Sequence, residues 1–225
     1  MKIIYKGFIR ERIQRNPVTI SPDATFFDAW NLIRQKGVRH LPVVDNKDRV
    51  VGIVTDRDIR KAAPSGVSTL SVYELNYLLG MLKVSGFMTR KEDLITITPD
   101  TLVEEAVQLM HTNKIGCLPV IEEKKLYGIF TETDALDLLV DIFGLKQKGT
   151  RLTIALEDKP GTMLGILEIF KKYKANVISL LSPSFMVEGN RVAAVRIKTE
   201  DYREIVKDLE KAGYPVLSIG KWPSV

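Results

Sequence analysis

The segment Gly52-Ile53-Val54-Thr55-Asp56-Arg57-Asp58 returns as Gly128-Ile129-Phe130-Thr131-Glu132-Thr133-Asp134. Ahead of it, Leu41-Pro42-Val43-Val44 returns as Leu118-Pro119-Val120-Ile121. Earlier still, Thr19-Ile20-Ser21-Pro22-Asp23 returns as Thr96-Ile97-Thr98-Pro99-Asp100. The first two blocks recur after 77 residues and the third after 76, which places a one-residue deletion in the polar loop joining them. Loops accept such changes at least cost. Two short units of this kind cannot each bury an apolar face alone, so they pack together, and a duplicated polar motif becomes a pair of sites.

Within each copy a short strand around Val18-Thr19-Ile20 runs into Ser21-Pro22-Asp23, a turn into a helix. Phe26, Ala29, Trp30 and Ile33 follow at helical spacing, matched by Val103, Ala106, Val107 and Met110. Gly37 is placed to cap that helix, and Lys114, after Asn113, holds the equivalent place in the second copy. Strands are predicted over residues 41–44 and 50–54, with a helix over 56–62 opened by Thr55. The repeat therefore reads strand–helix–strand–strand–helix, with a linker over 63–69 and a connecting helix over 72–79.

Beyond a polar, glycine-flanked boundary at 144–149 the rhythm changes. Strands over 151–156, 176–181, 191–198 and 216–219 alternate with helices over 162–173 and 201–212, and a turn falls at 188–190. That βαββαβ order is the ferredoxin-like plan, an antiparallel sheet with both helices on one face. Its open face predicts a covering partner copy. The expected class is α+β, with domains 1–67, 68–145 and 150–225.

The bulk numbers narrow the function. The 225 residues carry 33 Lys and Arg against 28 Asp and Glu, a net charge of +5, spread without any basic run. That distribution suits small anionic ligands and shows no nucleic-acid arm, and a nucleic-acid-binding protein stands as the less favoured alternative. Cys117 is the single cysteine and His40 and His111 the two histidines, too few for a metal cluster or a disulfide. No Gly-x-Ser-x-Gly, Walker-type or Gly-x-Gly-x-x-Gly pattern occurs, so the sequence points away from an enzyme. The apolar stretch from Ala135 to Phe143 is interrupted by Asp137 and Asp141 and is too short for a bilayer, and a cytoplasmic location is expected.

The Gly-apolar-apolar-Thr-x-x-Asp blocks, with Leu-Pro-Val ahead of each, resemble the tandem CBS-domain pair, the Bateman module. The third region resembles an ACT domain through Asp158-Lys159-Pro160-Gly161 and its element order. Together they resemble the AcuB-type CBS–ACT proteins associated with acetoin utilisation. The resemblance implies adenine nucleotide (AMP, ADP or ATP) or another adenosyl compound as a regulatory ligand in clefts between the repeats, with no cofactor required. It places the Thr55 and Thr131 hydroxyls on phosphate and the Asp58 and Asp134 carboxylates on ribose. The backbone at Arg39-His40 and Gly116-Cys117 would face the base, and Thr19, Thr96 and Arg57 complete the set. It also implies an amino-acid effector at Asp158 and Gly161, a homodimer, and a regulated enzyme of unstated identity.

A competing reading stands beside this one. Thr-x-x-Asp at a helix start is also a capping box. What a cap leaves unexplained is the glycine three residues ahead of the threonine in both copies. The first copy carries Arg57, Arg60 and Lys61, whereas the second has no basic residue until Lys146, so unequal sites are expected, the first favouring phosphate-rich ligands. Asp158 as a simple cap, Cys117 as a small buried residue and a ligand-independent scaffold are the corresponding structural readings.

Overall fold

The computed structural model describes residues 9–63, 71–183, 186 and 190–222. The linker expected over 63–69 and the turn expected at 188–190 fall almost wholly outside them. The chain divides into two compact units, Met1–Ala135 and Leu136–Val225.

In the first unit the elements run β1 (Gln14–Arg15), α1 (Phe26–Lys36), β2 (His40–Val44), β3 (Val50–Thr55), α2 (Asp56–Ala62) and α3 (Val72–Met81). Then come β4 (Thr89–Arg90), α4 (Val103–Asn113), β5 (Cys117–Glu122) and β6 (Lys125–Thr131), and α5 (Glu132–Ile142) carries the chain from the first unit into the second. Gly37 and Lys114 end α1 and α4 in the left-handed conformation, at φ of 63° and 55°. The strand expected at residues 18–20 is a single parallel bridge, Ile20 to Val43, and its repeat is Ile97 to Val120. Ile20 makes the first pairing alone: its N–H meets Pro42 O at 3.1 Å and its carbonyl takes the Val44 N–H at 3.0 Å, and Ile97 repeats both bonds with Pro119 O and the Ile121 N–H.

The deletion lies in the β5–β6 loop of the second copy, the counterpart of the β2–β3 loop. Asp45 organises the longer loop of the first copy by accepting the Lys47 and Arg49 amides at 2.9 and 3.0 Å. Hydrogen bonds from Arg49 and these amides hold the Asp45 carboxyl down to about 2. In the second copy Glu123 and Lys124 turn the chain by themselves, both at positive φ, as a two-residue hairpin of this type requires.

The two repeats interlock. β1, which precedes the first repeat, pairs with β6 of the second, while β4, which precedes the second repeat, pairs with β3 of the first. The sheets are thus β1-β6-β5 and β2-β3-β4. This exchange accounts for the motif glycines. A Cβ on Gly52 would sit 2.5 Å from Thr89 O, and one on Gly128 would sit 2.8 Å from Gln14 O. The glycines admit the exchanged strands, so they no longer weigh for a ligand over a cap. Ile53, Cys117 and Ile129 form an apolar seam joining the repeats.

The second unit contains β7 (Gly149–Leu156), α6 (Thr162–Lys172), β8 (Val177–Leu181), β9 (Arg191–Ile197), α7 (Arg203–Lys211) and β10 (Val216–Trp222). Its antiparallel sheet runs β10-β7-β9-β8. Leu152, Ile154, Val195 and Ile197 bury one face against Ile166 and Phe170 of α6 and Ile205 and Leu209 of α7.

Candidate functional site

A cavity of about 410 Å³ opens in the first unit. It is within the size range of small-molecule sites. Thr55, Asp56, Arg57, Asp58, Arg60 and Lys61 line it from the end of β3 and from α2, with Arg39 and His40 beside them. The second repeat contributes Lys114, Ile115, Gly116, Cys117 and Glu132, and the inter-repeat segment adds Thr89, Asp93, Leu94 and Ile95.

Local capping builds the Thr55–Asp58 corner. Thr55 Oγ1 accepts the Asp58 N–H at 3.2 Å, and Asp58 Oδ2 accepts the Thr55 N–H at 2.9 Å and its hydroxyl at 2.7 Å. Thr131 and Asp134 make the same three bonds, and so do Thr25 and Asp28. The box is therefore a general helix-start device in this chain, and Thr55 and Asp58 also line the cavity. Each repeat also ties its motif helix to the strand ahead of it: Asp56 N–H donates to Arg39 O and Glu132 N–H to Gly116 O, both at 3.0 Å.

The charges around the cavity are unevenly matched. Arg60 pairs with Asp56 at 2.8 Å, whereas among the described residues no ion pair holds the side chains of Arg39, Arg57, Lys61 or Lys114. These cations are placed to meet an anion. Lys114 comes from the second repeat and lines the same cavity as the first repeat's motif. Ile53, Leu94 and Ile115 supply an apolar wall.

His40 lies close to Gly116, where an added Cβ would stand 3.1 Å from its Nε2. Burial, then the Arg39 charge, push the His40 pKa down, against the opposing pull of Asp56, Glu132 and Asp58. The folded protein thus disfavours the imidazolium. Near and below pH 6.5 the unfolded chain binds the extra proton, so stability falls as pH drops through that range. Urea midpoints at pH 7.5 and 5.5 are expected to differ more for the wild type than for His40→Gln; equal differences would remove His40 from this linkage.

Cys117 is buried, and burial, with Glu132 and Asp58 nearby, pushes its thiol up to about 12. The neutral thiol is thereby favoured over the thiolate at neutral pH.

The cavity gathers Arg39, His40, Thr55, Arg57, Asp58, Gly116 and Cys117 from the expected set. Thr19, Thr96, Thr131 and Asp134 are not in its lining. Thr89, Asp93, Leu94 and Lys114 were not anticipated. Leu94 and Ile95 directly precede the Thr96 block, and that adjacency was the available signal. In the second unit Asp158 pairs with Arg191 and does not cap α6, whose N-cap is Gly161 at φ 85° with no side-chain cap bond. Among the described residues no group of His, Cys, Asp and Glu could hold a metal ion, and no helix is long and apolar enough to cross a membrane.

Comparison with known proteins places this geometry. A CBS domain-containing protein of Dictyostelium discoideum is 34% identical over 138 residues, covering 61% of this chain and 94% of that protein. Inosine-5'-monophosphate dehydrogenase of Methanocaldococcus jannaschii is 27% identical over 237 positions, which cover 95% of this chain; the chain spans 42% of that enzyme's length. Among solved structures, a Vibrio cholerae protein assigned to acetoin utilization (AcuB) superposes with a TM-score of 0.51 at 27% identity, covering 62% of this chain and 94% of its own. CBSX2 of Arabidopsis thaliana, solved in complex with AMP, gives 0.50 at 26% identity, covering 60% of this chain and 98% of its own. The CBS domain family matches residues 9–65 and 84–141, just over half of the chain. With two matched copies, interlocked by exchanged strands around a shared cavity, the chain belongs to the CBS-domain family.

Proposed function

We propose that this chain is a cytoplasmic, non-catalytic sensor whose CBS pair binds an adenine nucleotide or another adenosyl compound and relays its presence to a partner. The observation that carries this reading is the convergence in one cavity of the Asp58 carboxylate, the cations Arg57, Lys61 and Lys114, which have no ion pair among the described residues, and an apolar wall. A vicinal diol can donate to Asp58, phosphate meets the cations, and a flat base fits against Ile53, Leu94 and Ile115. The AMP found in CBSX2 supports the ligand class. The cation excess favours phosphorylated ligands over an uncharged nucleoside.

The second unit supports an ACT-like reading through its βαββαβ order and β10-β7-β9-β8 sheet. An amino-acid effector at Asp158 and Gly161 would have to compete with Arg191 for the carboxylate. Exposed apolar side chains on α3, Tyr73, Tyr77, Leu78 and Met81, support self-association into a dimer. A regulatory ligand acts only through its difference in affinity between conformations.

The test is thermal unfolding of the full chain with AMP, ADP, ATP, NAD and S-adenosylmethionine. A ligand at a hundred times its Kd stabilises the folded state by about 2.7 kcal/mol, a shift readily seen. If none of the five moves the midpoint at millimolar concentration, the chain is a ligand-independent scaffold.

A further inference from the structure

Arg196 of β9 is 5% exposed, and its Nη1 atom is buried with no hydrogen-bond partner among the described residues. The side chain's Nε donates to Phe143 O at 3.0 Å. Across the sheet, Arg196 stands opposite Arg151 of β7 on one side and Ser179 of β8 on the other. Arg151 donates to Thr153 Oγ1 at 3.0 Å and offers Arg196 no compensation. Two arginines directly opposite one another repel, and a buried guanidinium without a counter-charge is costly.

A cavity of about 140 Å³ opens beside this pair, on the sheet face away from α6 and α7. Its lining is Phe143, Leu145, Arg151, Ser179, Leu181, Ala194 and Arg196. No acidic side chain is among them. The site therefore has two cationic forks, an apolar wall and one serine. We propose that this cavity binds a small monocarboxylate lacking an ammonium group, such as a short 2-oxo acid, with its carboxylate on Arg196 and Arg151.

Three features select that class. A guanidinium fork matches a carboxylate with two parallel hydrogen bonds. The volume is close to the roughly 150 Å³ of a cavity that holds a benzene-sized molecule, which limits the ligand to a few heavy atoms. An amino acid's ammonium would find no carboxylate here, and the Phe143 carbonyl already accepts from both Arg196 Nε and Ser179 Oγ, the latter at 3.1 Å. The cavity is separate from Asp158 and Gly161, and the inference does not rest on nucleotide binding to the CBS pair.

The test is titration calorimetry of the full chain with pyruvate, 2-oxobutyrate, butyrate, alanine and inorganic phosphate. The expected result is saturable binding of at least one of the three monocarboxylates, with alanine at least tenfold weaker. Loss of charge-assisted hydrogen bonds should weaken binding by about 10–100-fold in Arg196→Met. Because that substitution removes an unpaired buried charge, its folding is expected to be unimpaired. Ser179→Leu, which fills the cavity and keeps both arginines, should abolish binding as well. The proposal is overturned if no monocarboxylate binds by 10 mM, if phosphate binds as tightly as the best of them, or if both variants bind like the wild type. It is also overturned if Arg196→Met dissociates a dimer in sedimentation analysis, since a partner copy's carboxylate would then fill the cavity.

Discussion

Gly52→Val is expected to destabilise the first unit by about 3 kcal/mol or more, and Gly128→Val by a similar amount. A Cβ at residue 52 meets Thr89 O at 2.5 Å and Met88 Sδ at 2.8 Å, and the two extra methyls of valine have no room beyond them. At residue 128 the obstacles are Ile13 Cδ1 at 2.5 Å and Gln14 O at 2.8 Å. Overpacking typically costs 1–3 kcal/mol where side chains can give way. Here backbone carbonyls of the exchanged strands stand in the path, so β4 must leave β3, or β1 must leave β6. Total stabilities of about 5–15 kcal/mol make such a loss visible in urea midpoints. Gly80→Ala is the control: its nearest neighbour is Phe27 Cε2 at 3.9 Å, and alanine in α3 should stabilise by up to about 1 kcal/mol. If both valine variants unfold at the wild-type midpoint, the strand exchange does not hold the repeats together.

Asp58→Ala is expected to weaken adenosyl-ligand binding by about 10–100-fold, the worth of hydrogen bonds to a charged group. Asp134→Ala should leave the affinity of the Thr55 cavity unchanged. The comparison is informative because the two carboxylates have the same structural duty. Each accepts the N–H and hydroxyl of its threonine, and each returns an N–H to that hydroxyl. Both variants should therefore lose about 1 kcal/mol of stability, a cap's worth. Only Asp58 lines the cavity with Arg57, Lys61 and Lys114. Calorimetric titration of both variants with the ligand that stabilises the wild type separates the roles. Equal losses of affinity would show that the binding difference tracks capping alone.

The parts of the fold legible in the sequence were those specified locally. The left-handed end of α1 needs a residue that tolerates positive φ, and Gly37 announces it. The capping boxes at Thr55 and Thr131 span four residues. The apolar spacing of Phe26, Ala29 and Ile33 marks the buried side of α1. Periodicity also yielded the βαββαβ order of the second unit within a few residues at each boundary. The strand expected at 18–20 shrank to one bridge because pairing length depends on the partner strand, which local propensity does not specify.

Duplication alone determined that the chain holds two like units and two like polar corners. Tertiary structure decided that the units exchange strands. β1 lies more than a hundred residues from its partner β6, and a two-residue pairing leaves no periodic trace. Gly52 and Gly128 have no explanation in the capping box, and the crossing backbone of the exchanged strands supplies one. The same non-local packing decided which corner faces a cavity, since Lys114 and Leu94 reach Asp58 only once the repeats interlock. Arg196 carries that lesson furthest. In sequence it is one cation in the strand Arg191–Ile197, and only the sheet register sets it against Arg151 and buries its Nη1 with no partner among the described residues. Local chemistry is written in neighbouring residues, while burial and charge balance depend on which distant segments share a surface.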